Sequence, residues 1–145
     1  MFKKILVPTD GSDVGLKAAR TAAELAKGQG AQVIGVYVID PFPYIGIGDA
    51  SAVGLQAYLS DAKRVAGDAL DSVANACRAK NVPFAGDTIE RNVIYEGIIE
   101  TAEAENCDLI VMGSHGRQGV KALILGSVAQ KVLTHAKVPV LIVKS

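Results

Sequence analysis

Two rhythms of hydrophobic and polar residues alternate along the chain. Short runs rich in Val, Ile and Leu are separated by longer segments whose apolar residues recur every three or four positions. The first rhythm is typical of strands buried in a parallel sheet, and the second is typical of amphipathic helices. The pattern predicts strands over 2–8, 31–40, 84–91, 107–113 and 138–144, and helices over 12–27, 52–80, 92–104 and 127–135.

Residues at the predicted helix ends have the expected capping chemistry. Ser12 is predicted to be the N-cap of the first helix, Gly28 its end, and Asn92 the N-cap of the third helix. The long second helix has an apolar stripe along one side, formed by Leu55, Leu59, Ala62, Ala66, Ala69, Val73 and Cys77. These signals support the same division of the chain into elements.

Five strands alternating with four helices predict an α/β fold. We expect one domain over 1–145, with a doubly wound, five-stranded parallel sheet and helices on both faces. Ligands of such sheets bind beyond the carboxyl ends of the strands, where the strand order reverses. The ends of strands 1, 2 and 4, at 8–10, 38–40 and 113 onward, have turn or polar residues. These ends are the expected site.

Composition excludes several classes of partner. Lys plus Arg and Asp plus Glu number 15 each, so the formal net charge is zero and nothing favours nucleic acid or an anionic membrane. No apolar run approaches the roughly 18 residues of a membrane span, and the one at 5–7 is too short for a signal peptide. We therefore expect a cytoplasmic protein. Cys77 and Cys107 are expected to be packed thiols, and no metal-ligand cluster is evident.

The segment GSHGRQGVKALILGSVAQ, residues 113–130, contains four glycines between a predicted strand and a predicted helix. Glycine lets backbone N–H groups approach an anion closely, and the start of a helix suits a phosphate. The spacing matches neither the P-loop nor the dinucleotide-binding fingerprint. A phosphate clamp and a flexible loop that ends at a capped helix are both compatible with this segment.

The segments KKILVPTDGS, VYVID and DLIVMGSHGRQGVKALILGSVAQKVLTHAKVPVLIVK resemble the universal stress protein family, and the likeness extends over the whole chain. Its most specific part is the motif G-x2-G-x9-G-[ST], matched by Gly113, Gly116, Gly126 and Ser127. In that family the motif marks the ATP-binding branch. The resemblance implies strand order 3-2-1-4-5, as in adenine nucleotide α-hydrolase-like folds, and a homodimer that binds ATP, ADP or AMP, with Mg²⁺ for ATP.

The resemblance also implies which residues form the nucleotide pocket. Asp10 is expected near the adenosine, Val38 at the adenine through its backbone, and the motif residues at the ribose and phosphates. Asp10 is also a candidate Mg²⁺ ligand. The whole predicted set is Pro8, Thr9, Asp10, Val38, Met112, Gly113, Ser114, His115, Gly116, Arg117, Gly126, Ser127 and Val128.

Several residues of this region also have a structural interpretation. Ser12 is expected to cap a helix rather than to bind ligand, and a solvated loop position is the alternative for His115. Arg117 and Lys121 are the cations available between the glycines, but a lone basic residue is more often a solvated charge. No catalytic set is evident, so ATP hydrolysis, if it occurs, is expected to be slow.

These features favour an ATP-binding regulatory protein that acts as a dimeric switch or sensor. One alternative is an ATP-using enzyme of the adenine nucleotide α-hydrolase type, although 9–13 lack the tandem glycine of the Ser-Gly-Gly-x-Asp-Ser loop in those enzymes. Another is a dimeric scaffold without nucleotide.

Strand 138–144 is the expected dimer edge, because Pro139 marks an edge or a strand start. Segment 41–50 is expected to form a flap over the nucleotide.

Overall fold

Strands and helices alternate in the computed structural model, which describes residues 1–41, 52–116 and 125–145. Every predicted strand and helix is present, with each strand slightly shorter than expected. The elements are β1 (Lys4–Pro8), α1 (Asp13–Gln29), β2 (Gln32–Ile39), α2 (Ala52–Arg78), β3 (Phe84–Glu90), α3 (Ile94–Ala104), β4 (Leu109–Gly113), α4 (Ser127–His135) and β5 (Val140–Val143). The proposed flap, except residue 41, lies outside the described residues, as do Arg117 and Lys121.

The five strands form one parallel sheet in the order β3-β2-β1-β4-β5, which confirms the predicted topology. β1 is central and pairs with both β2 and β4. After β1 the chain continues through α1 to β2 on one side, whereas after β4 it continues through α4 to β5 on the other. The topological switch point therefore lies at the carboxyl ends of β1 and β4.

Helices cover both faces of the sheet and produce two cores. Alternate residues of β1 belong to opposite cores because side chains alternate along a strand: Ile5 and Val7 pack with α1 and α2, and Leu6 packs with α3 and α4. The α1 side of the core consists largely of alanine, with Ala18, Ala19, Ala22, Ala23 and Ala26 all buried. Small side chains let α1 lie close to the sheet.

The two cysteines have the packing role that their sequence context predicted. Cys77 and Cys107 are unpaired and buried, one in each core. Burial raises the pKa of each thiol to about 11, because the charged thiolate is disfavoured away from water. Both thiols are therefore poor nucleophiles in the folded chain. No helix in the described ranges is both long enough and apolar enough to cross a membrane.

Three local predictions need correction. Gly28 does not end α1, because the helix continues to Gln29 and the left-handed cap is Gly30, with φ 66°. Asn92 does not cap α3, because Val93 takes the N-cap position without a side-chain hydrogen bond. β3 is not buried on both faces, since it is an edge strand with several exposed side chains. Ser12 does cap α1, and its Oγ accepts the N–H of Gly15 at 3.2 Å.

The two glycines near the end of α1 provide a matched stability test. A Cβ added to Gly28 or Gly30 would meet no atom within 4 Å, so only backbone conformation separates the two sites. We expect Gly30→Ala to lower the free energy of unfolding by about 1 kcal/mol, because the left-handed conformation is strained for alanine. Gly28→Ala should raise it by about 0.5–1 kcal/mol, since Gly28 is helical. Urea denaturation measures both, and changes of the same sign would contradict the capping assignment.

Candidate functional site

The carboxyl ends of β1 and β4 continue the sheet hydrogen bonding for one residue before their loops diverge. The N–H of Thr9 donates to the carbonyl of Val36 at 2.9 Å, and the N–H of Ser114 donates to the carbonyl of Val143 at 2.9 Å. Both loops therefore start from fixed positions on either side of the switch point.

The β1–α1 turn satisfies its own polar groups. The Oδ1 atom of Asp10 accepts the N–H of Ser12 at 2.9 Å, and the Oγ1 atom of Thr9 accepts the N–H of Gly11 at 3.1 Å. Gly11 has φ 82°, a conformation that L side chains rarely adopt. Because Ser12 caps Gly15, the first turn of α1 is already occupied by its own chain.

The first two motif glycines lie where a side chain would collide with the β1–α1 segment. A Cβ on Gly113 would come within 3.0 Å of the side chain of Val14, in the first turn of α1. A Cβ on Gly116 would run into the Oδ2 atom of Asp10. The β4 loop therefore passes directly against the carboxylate that follows β1. Nothing in the sequence pattern indicated Val14, because an apolar residue is ordinary in the first turn of a helix.

The third motif glycine brings the start of α4 against the same loop. A Cβ on Gly126 would lie 3.1 Å from the Cα of His115 and 3.2 Å from the carbonyl oxygen of Ser114. The N–H of Gly126 donates to that carbonyl at 2.6 Å. Gly126 has φ −72°, which any residue adopts. These glycines thus allow neighbouring segments to approach closely, and none of the three has the left-handed backbone conformation that favours glycine.

The first turn of α4 has no cap from a side chain. Gly126 is the N-cap, and its carbonyl accepts the N–H of Gln130 at 3.0 Å. The next three N–H groups, those of Ser127, Val128 and Ala129, have no partner within the described part of the chain. Ser127 is also exposed. The first turn of α3 lacks a side-chain cap too, but α3 follows the edge strand β3, whereas α4 begins at the switch point.

His115 lies against the second and third motif glycines. Its Nδ1 atom is 3.5 Å from the carbonyl oxygen of Gly116, and its Cβ would be 3.4 Å from a Cβ on Gly126. Its Nε2 atom is buried and has no hydrogen-bond partner. The position is therefore not that of a fully solvated loop residue, although the side chain is only partly buried.

The remaining predicted pocket residues lie around these loops. Pro8 pairs with Val36, so Val38 lies two residues farther along β2, about level with Asp10. The side chain of Val38 packs in the core beneath α3, and Met112 is buried in the same core. Val38 is therefore placed to offer backbone groups to a ligand, as the resemblance implied, whereas Met112 pairs with Ile142 of β5. The placement of Arg117 is outside the described residues.

Two cavities in the described part of the chain lie away from the glycine motif, although Thr9 and Gly11 line one of them. One, of about 270 Å³, separates α1 from α2 and has the carboxylates of Asp13 and Asp68 in its wall, which do not suit a phosphate. The other, of about 400 Å³, lies at the amino ends of β4 and β5, near Cys107 and the ion pair of Lys137 with Glu103 at 3.4 Å. Neither cavity includes the glycine motif.

Comparison with known proteins gives a consistent result. A family model described as the universal stress protein family matches residues 1–144. Universal stress protein MJ0531 of Methanocaldococcus jannaschii is 39% identical over 145 residues, which cover 99% of this chain and 83% of that protein. The solved structure of MJ0577, from the same organism, has a TM-score of 0.86 at 27% identity and covers 100% of this chain and 97% of that chain.

A universal stress protein of Archaeoglobus fulgidus, solved in complex with dAMP, has a TM-score of 0.67 at 24% identity, with 97% of each chain covered. At that identity the likeness concerns the fold alone. The sequence match over nearly the whole length and the shared fold agree: the chain belongs to the universal stress protein family.

Proposed function

We propose that this protein binds an adenine nucleotide where β1, β4 and α4 meet, and that it acts as a nucleotide-dependent dimeric switch. One observation supports this most directly: at the switch point of the sheet, the N–H groups in the first turn of α4 have no partner among the described residues. Free amides and the positive end of the helix dipole favour a phosphate. The first turn of α1, by contrast, is capped by Ser12.

In this proposal the phosphates lie over the start of α4 and the adenosine lies toward β1 and β2. Ser127 and Val128 offer backbone N–H groups, and Ser127 adds an exposed hydroxyl. Gly116 is proposed to contact the phosphates through its backbone, because the carboxylate of Asp10 takes the space where its Cβ would lie. The carboxylate of Asp10 is proposed to lie at the adenosine side, the backbone of Val38 to contact the base, and Met112 to flank the base and ribose. Pro8, Thr9, Gly113, Ser114 and Arg117 complete the proposed set.

The nucleotide that we propose is ATP, with ADP and AMP as the related forms. The dAMP complex of the Archaeoglobus fulgidus protein shows that this fold holds an adenine nucleotide in one relative. The glycine motif is the feature of this chain that supports an adenine nucleotide as its ligand. Mg²⁺ is proposed to arrive with the triphosphate, and the carboxylate of Asp10 is its candidate protein ligand. ATP hydrolysis is proposed to be slow if it occurs.

A direct hydrogen bond connects this site to the proposed dimer edge. The N–H of Ser114 donates to the carbonyl of Val143 in β5, and α4 leads straight into the same strand. β5 is an edge of the sheet, and the side chain of Leu141 on it is 39% exposed. We propose that residues 138–144 pair with a second copy of the chain, because an edge strand exposes unpaired backbone groups and apolar side chains that such pairing buries. Phosphate binding would then affect the dimer interface through this hydrogen bond.

The two reduced, buried cysteines are in keeping with a cytoplasmic location.

Removal of the Ser127 hydroxyl tests the phosphate site with little disturbance of the fold, because the side chain is exposed. We expect Ser127→Ala to weaken Mg-ATP binding by roughly 10- to 150-fold, the usual effect of losing one hydrogen bond to a charged group. Titration calorimetry gives the Kd. Thr134→Ala, at the other end of α4, is the control and should bind like the wild type. Equal binding by the Ser127 and Thr134 variants would contradict the site.

Gly126→Val is expected to abolish binding, but it is a less specific test than Ser127→Ala. Its side chain would displace the backbone of His115 and Ser114 whether or not a nucleotide binds there. Circular dichroism would have to show an intact fold before the loss could be assigned to the phosphate site.

A single charge on β5 tests the dimer. Val140 and Ile142 pack partly in the core beneath α3 and α4, so charges there would also destabilise the fold. Leu141 is the better position, and Leu141→Lys should give a folded monomer because two lysines would oppose each other near the twofold axis. Val53→Lys is the control, since Val53 is 78% exposed on α2. Light scattering at micromolar concentration measures the mass; a monomeric wild type, or a dimeric Leu141 variant, would refute the interface.

A further inference from the structure

Within the described residues, Nε2 of His115 is the buried side-chain nitrogen or oxygen atom that has no hydrogen-bond partner. An atom of this kind costs folding free energy, because it has lost water and gained nothing in exchange. Native proteins keep such groups where a ligand, an ion or an ordered water completes the bonding. The position of this one, beside the phosphate site proposed above, indicates what completes it.

The backbone holds the ring of His115 in a defined place. Ser114 is fixed on both sides, because its N–H donates to Val143 at 2.9 Å and its carbonyl accepts from Gly126 at 2.6 Å. The next residue, His115, therefore starts directly against the N-cap of α4. Its Cα would lie 3.1 Å from a Cβ on Gly126, and its Nδ1 atom is 3.5 Å from the carbonyl oxygen of Gly116. The Cα of His115 thus lies against Gly126, and its ring lies beside the carbonyl of Gly116.

The hydrogen-bonding state of the ring leaves Nε2 able to donate. The distance of 3.5 Å from Nδ1 to the carbonyl of Gly116 is too long for a strong hydrogen bond, so it does not fix the proton on Nδ1. Either the neutral tautomer with Nε2–H or the imidazolium presents a donor at the buried position. A phosphate oxygen is an acceptor only, and a charged acceptor forms the stronger kind of hydrogen bond.

We propose that Nε2 of His115 donates to a phosphate of the bound nucleotide, and that this residue makes the site prefer nucleotides to nucleosides. The inference rests on the proposed function, because it concerns the same site. It assigns to a side chain a recognition role that the glycines and the α4 amides do not fill. Backbone N–H groups of α4 supply the helix end of the site, and His115 supplies a donor from the β4 side.

Two substitutions separate the donor from the shape of the ring. His115→Phe keeps a ring but removes the donor, whereas His115→Gln keeps an N–H donor at a similar distance from Cα. We expect His115→Phe to weaken ATP binding by roughly 10- to 150-fold and to change adenosine binding less than twofold. His115→Gln should retain a larger part of the ATP affinity. Titration calorimetry suits ATP, and ligand-observed NMR suits millimolar adenosine.

The other histidine of the chain provides the matched control. His135 lies at the far end of α4, where its Nδ1 is 2.9 Å from the carbonyl oxygen of Lys131 and its ring lies 5.0 Å from that of Tyr95. His135→Gln should leave the affinities for ATP and adenosine unchanged. A similar loss in the two histidine variants would overturn the assignment.

Thermal unfolding without ligand gives a readout that a purely structural role would not produce. If Nε2 lacks a partner in the free protein, His115→Phe replaces an unsatisfied buried atom by an apolar one, and Tm should rise by about 2–6 °C. The same substitution would then stabilise the free protein and weaken nucleotide binding. A fall in Tm would show that a protein group already pairs with Nε2, and would overturn the proposal.

The binding data distinguish failure of this inference from failure of the proposed function. If wild-type protein binds neither ATP nor AMP, the proposed function is wrong, and the proposed role of His115 is wrong as well. If wild-type protein binds ATP but His115→Phe binds it equally well, only the role of His115 is wrong. Equal losses for ATP and adenosine would likewise overturn the phosphate contact, because adenosine has no phosphate.

Discussion

Three missing Cβ atoms allow the carboxyl ends of β1 and β4 to meet the start of α4. A side chain at Gly116 would strike Asp10, and a Cβ at Gly113 or Gly126 would lie in tight contact with Val14 or with the backbone of 114–115. The central part of the sheet, the β1–α1 turn and α4 are therefore closely packed against one another. These contacts join residues of the chain itself, so the motif has a structural reason for its glycines as well as a proposed binding role.

The same close packing determines which hydrogen-bonding groups are available to a ligand. Backbone groups that the loops need for their own structure are already used, such as the N–H and carbonyl of Ser114 and the N–H of Gly126. Around the start of α4, the groups left without a partner in the described residues are the amides of its first turn and Nε2 of His115. All of them are donors or can act as donors, which is what an anionic ligand requires.

The sequence was sufficient for the order of elements because the sheet is buried between helices. Continuous apolar runs and helical spacing of the alanines follow directly from that burial, so the strands and helices were predicted correctly. The exact ends were harder. Gly28 and Gly30 are equivalent in the sequence, and only the φ of 66° at Gly30 separates them. Asn92 has better capping chemistry than Val93, yet the path of the chain puts Val93 at the cap.

Some residues of the candidate site could also be predicted, but the contacts that explain why those residue types occur there could not. The motif spacing selected the glycines, and position after β1 selected Asp10. Neither indicates that Gly116 lies against Asp10, because that contact joins loops more than 100 residues apart and depends on strand order. The unpaired Nε2 of His115 likewise has no signal in the sequence, since a histidine between glycines looks exposed.

The most direct test of the account is a titration of the ¹⁵N-labelled chain with Mg-ATP, followed by amide chemical shifts. The account predicts the largest changes at the end of β1, at 113–116 and at the first turn of α4, with a saturable response. Amides near Glu103 and Lys137, at the opposite end of the sheet, should not change. No saturable change, or changes centred on that opposite end, would contradict the claim that the three loops form the nucleotide site.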